Sequence, residues 1–272
     1  MYLGIDIGGT KTLVGCFSDE GVLGEHIKFP TPPDYKTFLA ELAQCVDKLS
    51  TKNFTCAGVA VPGRIDRSTG VALAFGNLDW ENVPIQADIA KVLHYPVIIE
   101  NDAKLATLSE AALLRGKYRR ILYITVSTGI GTGVAQDGIL DPALIDAESG
   151  SMMLEHDGKL TPWEEFASGK AIVERYGKRA SEIQDTATWH AIAKDLALGI
   201  LELIAVVEPD AIVFGGAVSN YFERFQPWLT QELSTYTTAL TPLPALLKAA
   251  RPDEAVIYGC YELARARYGK TA

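Results

Sequence analysis

Two runs in which an apolar strand pattern breaks into small residues and then resumes constrain this chain more than any other feature. "GIDIGGTKT" occupies residues 4–12, and "VSTGIGTGV", at residues 126–134, repeats the arrangement about 120 residues later. In the first, Tyr2 to Ile7 are apolar or strand-prone, Gly8 and Gly9 interrupt, and Leu13, Val14, Cys16 and Phe17 resume a strand. In the second, Ile121 to Val126 lead into the glycine turn, and Val134 and Ala135 continue beyond it. The chain reads as two related halves.

Between the repeats, Tyr35, Phe38, Leu39, Leu42, Val46 and Leu49 recur at spacings of three and four, which predicts an amphipathic helix. "CAGVAVPG" and "VIIE" read as buried strands, and a helix running from Pro84 toward Pro96 separates them. Another helix begins at Asn101 or Asp102. The second half adds a helix near Phe166 to Tyr176, a long helix over Ala187 to Val207, a strand "AIVFGG", and helices around Tyr221 to Leu233 and Glu254 to Tyr268. This alternation predicts an α/β class. The glycine pattern places the lobe boundary near Gly116, with an N-terminal lobe over 1–115 and a C-terminal lobe over 116–272.

Charge and composition exclude several classes of function. The 272 residues carry a formal net charge of -9, and no Lys/Arg run exceeds a pair, which argues against nucleic-acid and membrane-surface partners. Cys16, Cys45, Cys56 and Cys260 are scattered and lack metal-ligand spacing, so they read as reduced core thiols. The opening residues run straight into a strand pattern, and the long apolar helix contains His190, Lys194, Asp195 and Glu202. A cytoplasmic protein is expected.

"GIDIGGTKT" misses the P-loop pattern by one residue: Gly4 and Gly9 have the right separation, but Thr10 stands where the lysine belongs. Strand-prone residues follow Lys11, so a phosphate would meet a hairpin and not a helix end. Glycines let backbone N–H groups converge on an anion, and a threonine hydroxyl adds a donor. A plain glycine turn explains one such segment equally well. "FGGAVS", residues 214–219, supplies a third at a strand end, and three together suggest walls around one polyphosphate.

In this order and spacing the chain resembles the ROK group of sugar kinases and sugar-responsive repressors, within the actin-like ATPase (hexokinase-type) superfamily. "DIGGTK" is similar to the group's first phosphate motif, "VSTGIGTG" to its second and "IVFGGAVS" to its adenosine-side motif. "VPGRIDRSTG", "GNLDWENVP" and "IIENDAKLATLSEA" resemble the sugar-binding region and the catalytic Asn-Asp segment. The resemblance implies a two-lobed actin-like ATPase fold, related to ribonuclease H, with the active site in the interlobe cleft. It also implies a last helix packed back on the N-terminal lobe and closure of the lobes on the sugar.

The same resemblance assigns roles. Asp102 becomes the general base, although a carboxylate opening a helix also serves as a plain N-cap. Gly63, Asn77, Asn101, Asp102, Glu148 and Glu164 become sugar-site residues. Asp6, Gly8, Gly9, Thr10 and Lys11, then Ser127, Thr128, Gly129, Gly131 and Thr132, then Gly215, Gly216 and Ala217, become the ATP site. Asp6 would hold Mg²⁺ through water. Lys11 is placed either to meet phosphate charge or to stand solvated beyond the turn.

One segment departs from the group's pattern. Relatives carry a histidine and a cysteine cluster that bind a structural zinc, whereas "ESGSMMLEHDGKLTPWEEFASG" places Ser151 at the histidine and Pro162 at the last cysteine. With the whole ligand set gone, no structural zinc is expected. Trp163 and Phe166 become candidate anchors of the loop, and His156 reads as an exposed histidine on a polar loop. Ser151 joins the sugar site, with an altered sugar preference. The implied activity is ATP-dependent phosphorylation of a hexose or hexosamine, at the 6-hydroxyl. The alternatives are a polyphosphate-dependent kinase and a non-catalytic sugar-binding or regulatory protein. The family also implies a homodimer, which the residues themselves do not address.

Overall fold

The computed structural model describes residues 1–269. The chain divides into two compact units, Met1–Ser109 with the segment from Glu254 onward, and Glu110–Asp253.

Unit 1 opens with the hairpin β1 (Tyr2–Ile7) and β2 (Lys11–Phe17), followed by β3 (Leu23–Pro30). The helix expected from the spacing is α1 (Tyr35–Asp47), which buries Phe38, Leu42, Cys45 and Val46. Asp34 caps it by accepting the Thr37 N–H. β4 (Ala57–Val61) is buried along its whole length, as a strand covered on both faces should be. β5 (Gly63–Asp66), β6 (Val71–Phe75) and β7 (Glu81–Val83) then form a separate antiparallel sheet. α2 (Ile85–Leu93) starts directly after Pro84 and stops where His94 turns left-handed. β8 (Val97–Asn101) runs into α3 (Asp102–Leu113), and the chain leaves unit 1 inside that helix.

The main sheet has the order β3-β2-β1-β4-β8, antiparallel through β3, β2 and β1, then parallel through β4 and β8.

Unit 2 repeats this plan. β9 (Arg120–Val126), β10 (Ile130–Gln136) and β11 (Ile139–Leu140) form the antiparallel side. The hairpin β12 (Met153–His156) and β13 (Lys159–Pro162) turns through Asp157 and Gly158, both at positive φ, as a two-residue connection requires. The single helix expected near Phe166 to Tyr176 is two helices, α4 (Trp163–Ala167) and α5 (Gly169–Tyr176). Ser168 breaks the run in an extended conformation and caps the second by accepting the Ala171 N–H. The long α6 (Thr186–Val207) supplies much of the core, with Trp189, Leu196, Ile200 and Ile204 buried. β14 (Ala211–Gly215), α7 (Phe222–Tyr236) and β15 (Ala245–Lys248) complete the unit. Its sheet has the order β11-β10-β9-β14-β15, with the same sequence of antiparallel and parallel pairings.

The last helix, α8 (Ala255–Tyr268), belongs to unit 1 and packs on β1 and β4. Its approach leaves no room for side chains at two glycines. A Cβ on Gly58 would lie 2.1 Å from the Cys260 carbonyl oxygen, and one on Gly259 2.0 Å from that of Leu105. All four cysteines are buried and unbridged. No helix among the described residues is long and apolar enough to cross a membrane.

His156 departs from its sequence reading. It ends β12 with its side chain 15% exposed, stacked on Phe166 at 4.1 Å between ring centroids. Its Nε2 lies 3.3 Å from Asp195, which also pairs with Arg175. The aromatic and acidic partners come from α4 and α6, so the residues around His156 in sequence gave no sign of its burial. Trp163 is fully buried and Phe166 nearly so.

Candidate active site

In unit 1 the turn between β1 and β2 is a hairpin, closed where the Gly8 N–H donates to the Lys11 carbonyl at 3.1 Å. Neither glycine there has positive φ, so close approach and not backbone handedness demands them. A Cβ on Gly8 would lie 2.8 Å from the Lys11 carbonyl oxygen, and one on Gly9 2.6 Å from Cβ of Asn77. The second contact brings the β1–β2 turn against the segment that carries Asn77. Behind the turn, the Thr31 hydroxyl donates to the Gly8 carbonyl at 2.7 Å and pairs with buried Thr12 at 2.9 Å. Thr10 and Lys11 stand exposed at the rim.

Asp6, next to last in β1, is partly buried. Burial pushes its carboxyl up to about 7, the neighbouring Asp102 charge adds to the rise, and Lys11 and Lys28 oppose it. Two carboxylates that resist simultaneous ionisation are suited to sharing a cation. Mg²⁺ commonly takes one or two protein carboxylates, keeps several waters and fills its remaining positions with substrate phosphates. The chemistry of Asp6 fits a carboxylate that holds such an ion through one of its waters.

At the junction of β8 and α3 the capping role falls to Asn101. Its Oδ1 accepts the N–H groups of Ala103 and Lys104 at 3.0 and 3.3 Å, and its Nδ2 donates to the Gly63 carbonyl at 3.1 Å. Asp102 therefore opens the helix without being its main cap, although its Oδ1 accepts the Ala103 N–H at 2.8 Å. Gly63 is fixed by packing, because a Cβ there would lie 2.0 Å from the Ala74 carbonyl oxygen.

In unit 2 the turn between β9 and β10 closes where the Ser127 N–H donates to the Gly129 carbonyl at 3.0 Å. The Ser127 carbonyl in turn accepts the Gly169 N–H at 2.7 Å, which ties the start of α5 to the turn. Glu164 lies against it: its Oε2 accepts the Ile130 N–H at 3.2 Å and would be 2.6 Å from a Cβ on Gly129. Glu165, its neighbour, is exposed. Thr132 is buried, with its hydroxyl donating to Ser149 at 2.8 Å, so it braces the turn from inside. Glu148 and Ser151 flank buried Ser149 and Gly150 on a short 3₁₀ turn, and both are exposed.

The third turn follows β14. A Cβ on Gly215 would lie 1.9 Å from the Tyr123 hydroxyl. Gly216 has φ +82, and a Cβ there would meet the Val126 carbonyl oxygen and Thr125 Oγ1, each at 2.6 Å. A cavity of about 390 Å³ adjoins this turn, lined by Ser127 and Thr128, by Ala217 and Val218, and by Lys170 and Arg179. The second and third glycine turns thus share one cavity. The two cations escaped the sequence reading because nothing in "SGKAI" or "GKRAS" distinguishes them from solvated surface lysine and arginine. Thr31 and Ser149 escaped it because each meets its turn from a distant segment.

Two units with the same five-stranded order, each bearing a glycine hairpin between its first two strands, define the actin-like ATPase fold. The family model described as "ROK family" matches residues 2–267. The chain belongs to the ROK family. It is 24% identical to a glucokinase of Streptomyces coelicolor, over 97% of this chain and 98% of that protein. It is 27% identical to an N-acetyl-D-glucosamine kinase of Escherichia coli O6:H1, over 93% of this chain and 95% of that one. Among solved structures, the ROK family glucokinase of Streptomyces griseus in complex with glucose and AMPPNP superposes with a TM-score of 0.82. That match has 24% identity and covers 97% of this chain and 99% of the other.

Proposed function

We propose that this chain transfers the γ-phosphoryl group of ATP to a hydroxyl of a hexose or hexosamine, with the 6-hydroxyl as acceptor. The observation that carries this reading is the junction of β8 and α3, where Asn101 shares the capping bonds with Asp102 and the Asp102 charge acts on the Asp6 carboxyl.

Phosphoryl transfer depends on positioning and charge stabilisation more than on covalent chemistry. Asp102 accepts the proton of the sugar hydroxyl as its oxygen bonds to the γ-phosphorus. The bond to the β,γ-bridging oxygen breaks, and sugar phosphate and ADP leave. Gly63, Asn77, Asn101, Glu148, Ser151 and Glu164 orient the sugar. The turns at Gly8 to Lys11 and at Ser127 to Gly131 present backbone N–H groups and hydroxyls to the phosphates. Gly215, Gly216 and Ala217 border the adenosine, Ala217 from the cavity it lines with Ser127 and Thr128. Asp6 would hold Mg²⁺ through water, and the ion would supply neutralisation of the phosphate charge.

The relatives named above support hexoses and N-acetylhexosamines as the sugars to try. A coupled ADP-release assay across hexoses, hexosamines and N-acetyl forms, run with ATP and in parallel with inorganic polyphosphate, tests the reading. Sugar-dependent ADP formation from ATP is expected. No product with any sugar, where a known kinase succeeds in the same assay, would sink it, and product from polyphosphate alone would move the donor.

A further inference from the structure

The junction that carries Asp102 is held by an ion pair to which the reaction assigns no part. Arg67, in the connection between β5 and β6, grips Glu100 with two hydrogen bonds: Nε donates to Oε2 at 2.8 Å and Nη2 to Oε1 at 2.6 Å. The Glu100 side chain is 5% exposed and that of Arg67 27%. Glu100 Oε1 also accepts the backbone N–H of Asn101 at 2.7 Å. Asn101 passes the constraint on in two directions, to the first N–H groups of α3 and to the Gly63 carbonyl. From Arg67 to Ala103, every link beside Asp102 is thus a hydrogen bond of fixed direction.

We propose that Arg67 and Glu100 form a positioning pair that sets the orientation from which Asp102 abstracts the acceptor proton; this rests on the kinase reading above. Two features favour alignment over simple adhesion. A bidentate guanidinium–carboxylate contact fixes direction as well as distance, which a single lysine contact does not. A buried ion pair is also a poor device for stability alone, since well-packed apolar side chains of similar volume hold two segments together as well or better. What apolar side chains cannot do is accept the Asn101 N–H. Misplacing a reacting group by about 1 Å costs on the order of 10²-fold in rate.

The double variant Arg67→Met/Glu100→Met separates the two roles, because it removes both charges of the Arg67–Glu100 contact at once. Its kcat, sugar KM and melting temperature are compared with those of the wild type, Arg67→Lys and Glu100→Gln. The positioning role predicts that the double variant melts within a few degrees of the wild type, loses roughly 30-fold or more in kcat, and changes sugar KM by less than about 5-fold. Glu100→Gln, whose amide oxygen still accepts the Asn101 N–H, retains more turnover than the double variant. Faster hydrogen exchange at the Asn101 amide in the double variant accompanies the loss. Wild-type kcat in a folded double variant overturns the proposal and leaves a merely structural pair. A wild type that phosphorylates no sugar overturns the kinase reading, and the positioning role with it.

Discussion

The two glycine hairpins occupy the same place in sheets of the same order, yet they have been put to different use. Each is braced from behind by a buried threonine on its second strand, Thr12 paired with Thr31 in unit 1 and Thr132 paired with Ser149 in unit 2. The difference lies in charge. The next-to-last residue of β1 is Asp6, beside Asp102, whereas the next-to-last residue of β9 is Thr125. The strands that pair next, β4 and β14, diverge in the same way. Gly63 after β4 opens the small sheet that leads to Asn77, and Gly215 ends β14, followed by Gly216 and by Ala217, which lines the 390 Å³ cavity. A repeated scaffold has kept its turns and changed what surrounds them: in the reading proposed above, the base and the ion-holding carboxylate both come from unit 1, and the adenosine side comes from the glycine turns of unit 2.

That division can be broken at single residues. The largest effect is expected from Gly216→Val, which places a branched side chain at φ +82 and against the Val126 carbonyl oxygen. Affinity for a non-hydrolysable ATP analogue should fall by roughly 10² or more, while sugar affinity, measured by calorimetry, stays within a few fold. Equal loss of both would contradict the division of labour.

Asp6→Asn gives the next effect, and its sign follows from the raised carboxyl. A group with a folded pKa of about 7, against 3.8 unfolded, binds more protons in the folded state between those values. Its ionisation therefore lowers stability as pH rises through that window, by at most about 4 kcal/mol. Asn removes the term, so the variant should gain in melting temperature over the wild type from pH 4 to pH 8 while losing activity. A difference that stays flat with pH would remove the buried-carboxylate argument.

Smaller still is His156→Ala, which deletes the stack on Phe166 and the contact with Asp195. A loss of about 1–2 kcal/mol is expected, read as a melting temperature lower by a few degrees. A chelator should leave the wild-type melting temperature unchanged, since packing and ion pairs hold this segment; a drop would reveal a structural metal. The smallest change should come from Ser151→His at the exposed rim of the 3₁₀ turn. It should shift the ratio of kcat/KM between hexose and N-acetylhexosamine by several fold and leave stability untouched.

Much of this was legible in the sequence, because the cues were local. Apolar runs marked the paired strands, glycines marked the three turns, and the spacing from Tyr35 to Leu49 marked α1. The resumption of strand after Lys11 separated a hairpin from a P-loop. What stayed hidden depends on partners far along the chain. Arg67 meets Glu100 across 33 residues, and His156 meets Asp195 across 39. The break at Ser168 was misread for a different reason: Ser168 and Gly169 sit between the apolar runs of two helices, and the cap bond to Ala171 shows where one helix ends and the next begins. The bond from Thr132 to Ser149 also lay outside the sequence reading, which placed Thr132 in the phosphate motif by resemblance. The pleat turns it inward, where Ser149 receives it.

The central claim is that Asp102 is the base of a sugar kinase, and turnover by Asp102→Ala tests it most directly. With sugar and nucleotide affinities measured in the same preparation, the account predicts near wild-type binding of both and a loss of roughly 10² or more in kcat. Near-normal turnover in a variant that binds sugar and nucleotide would contradict it.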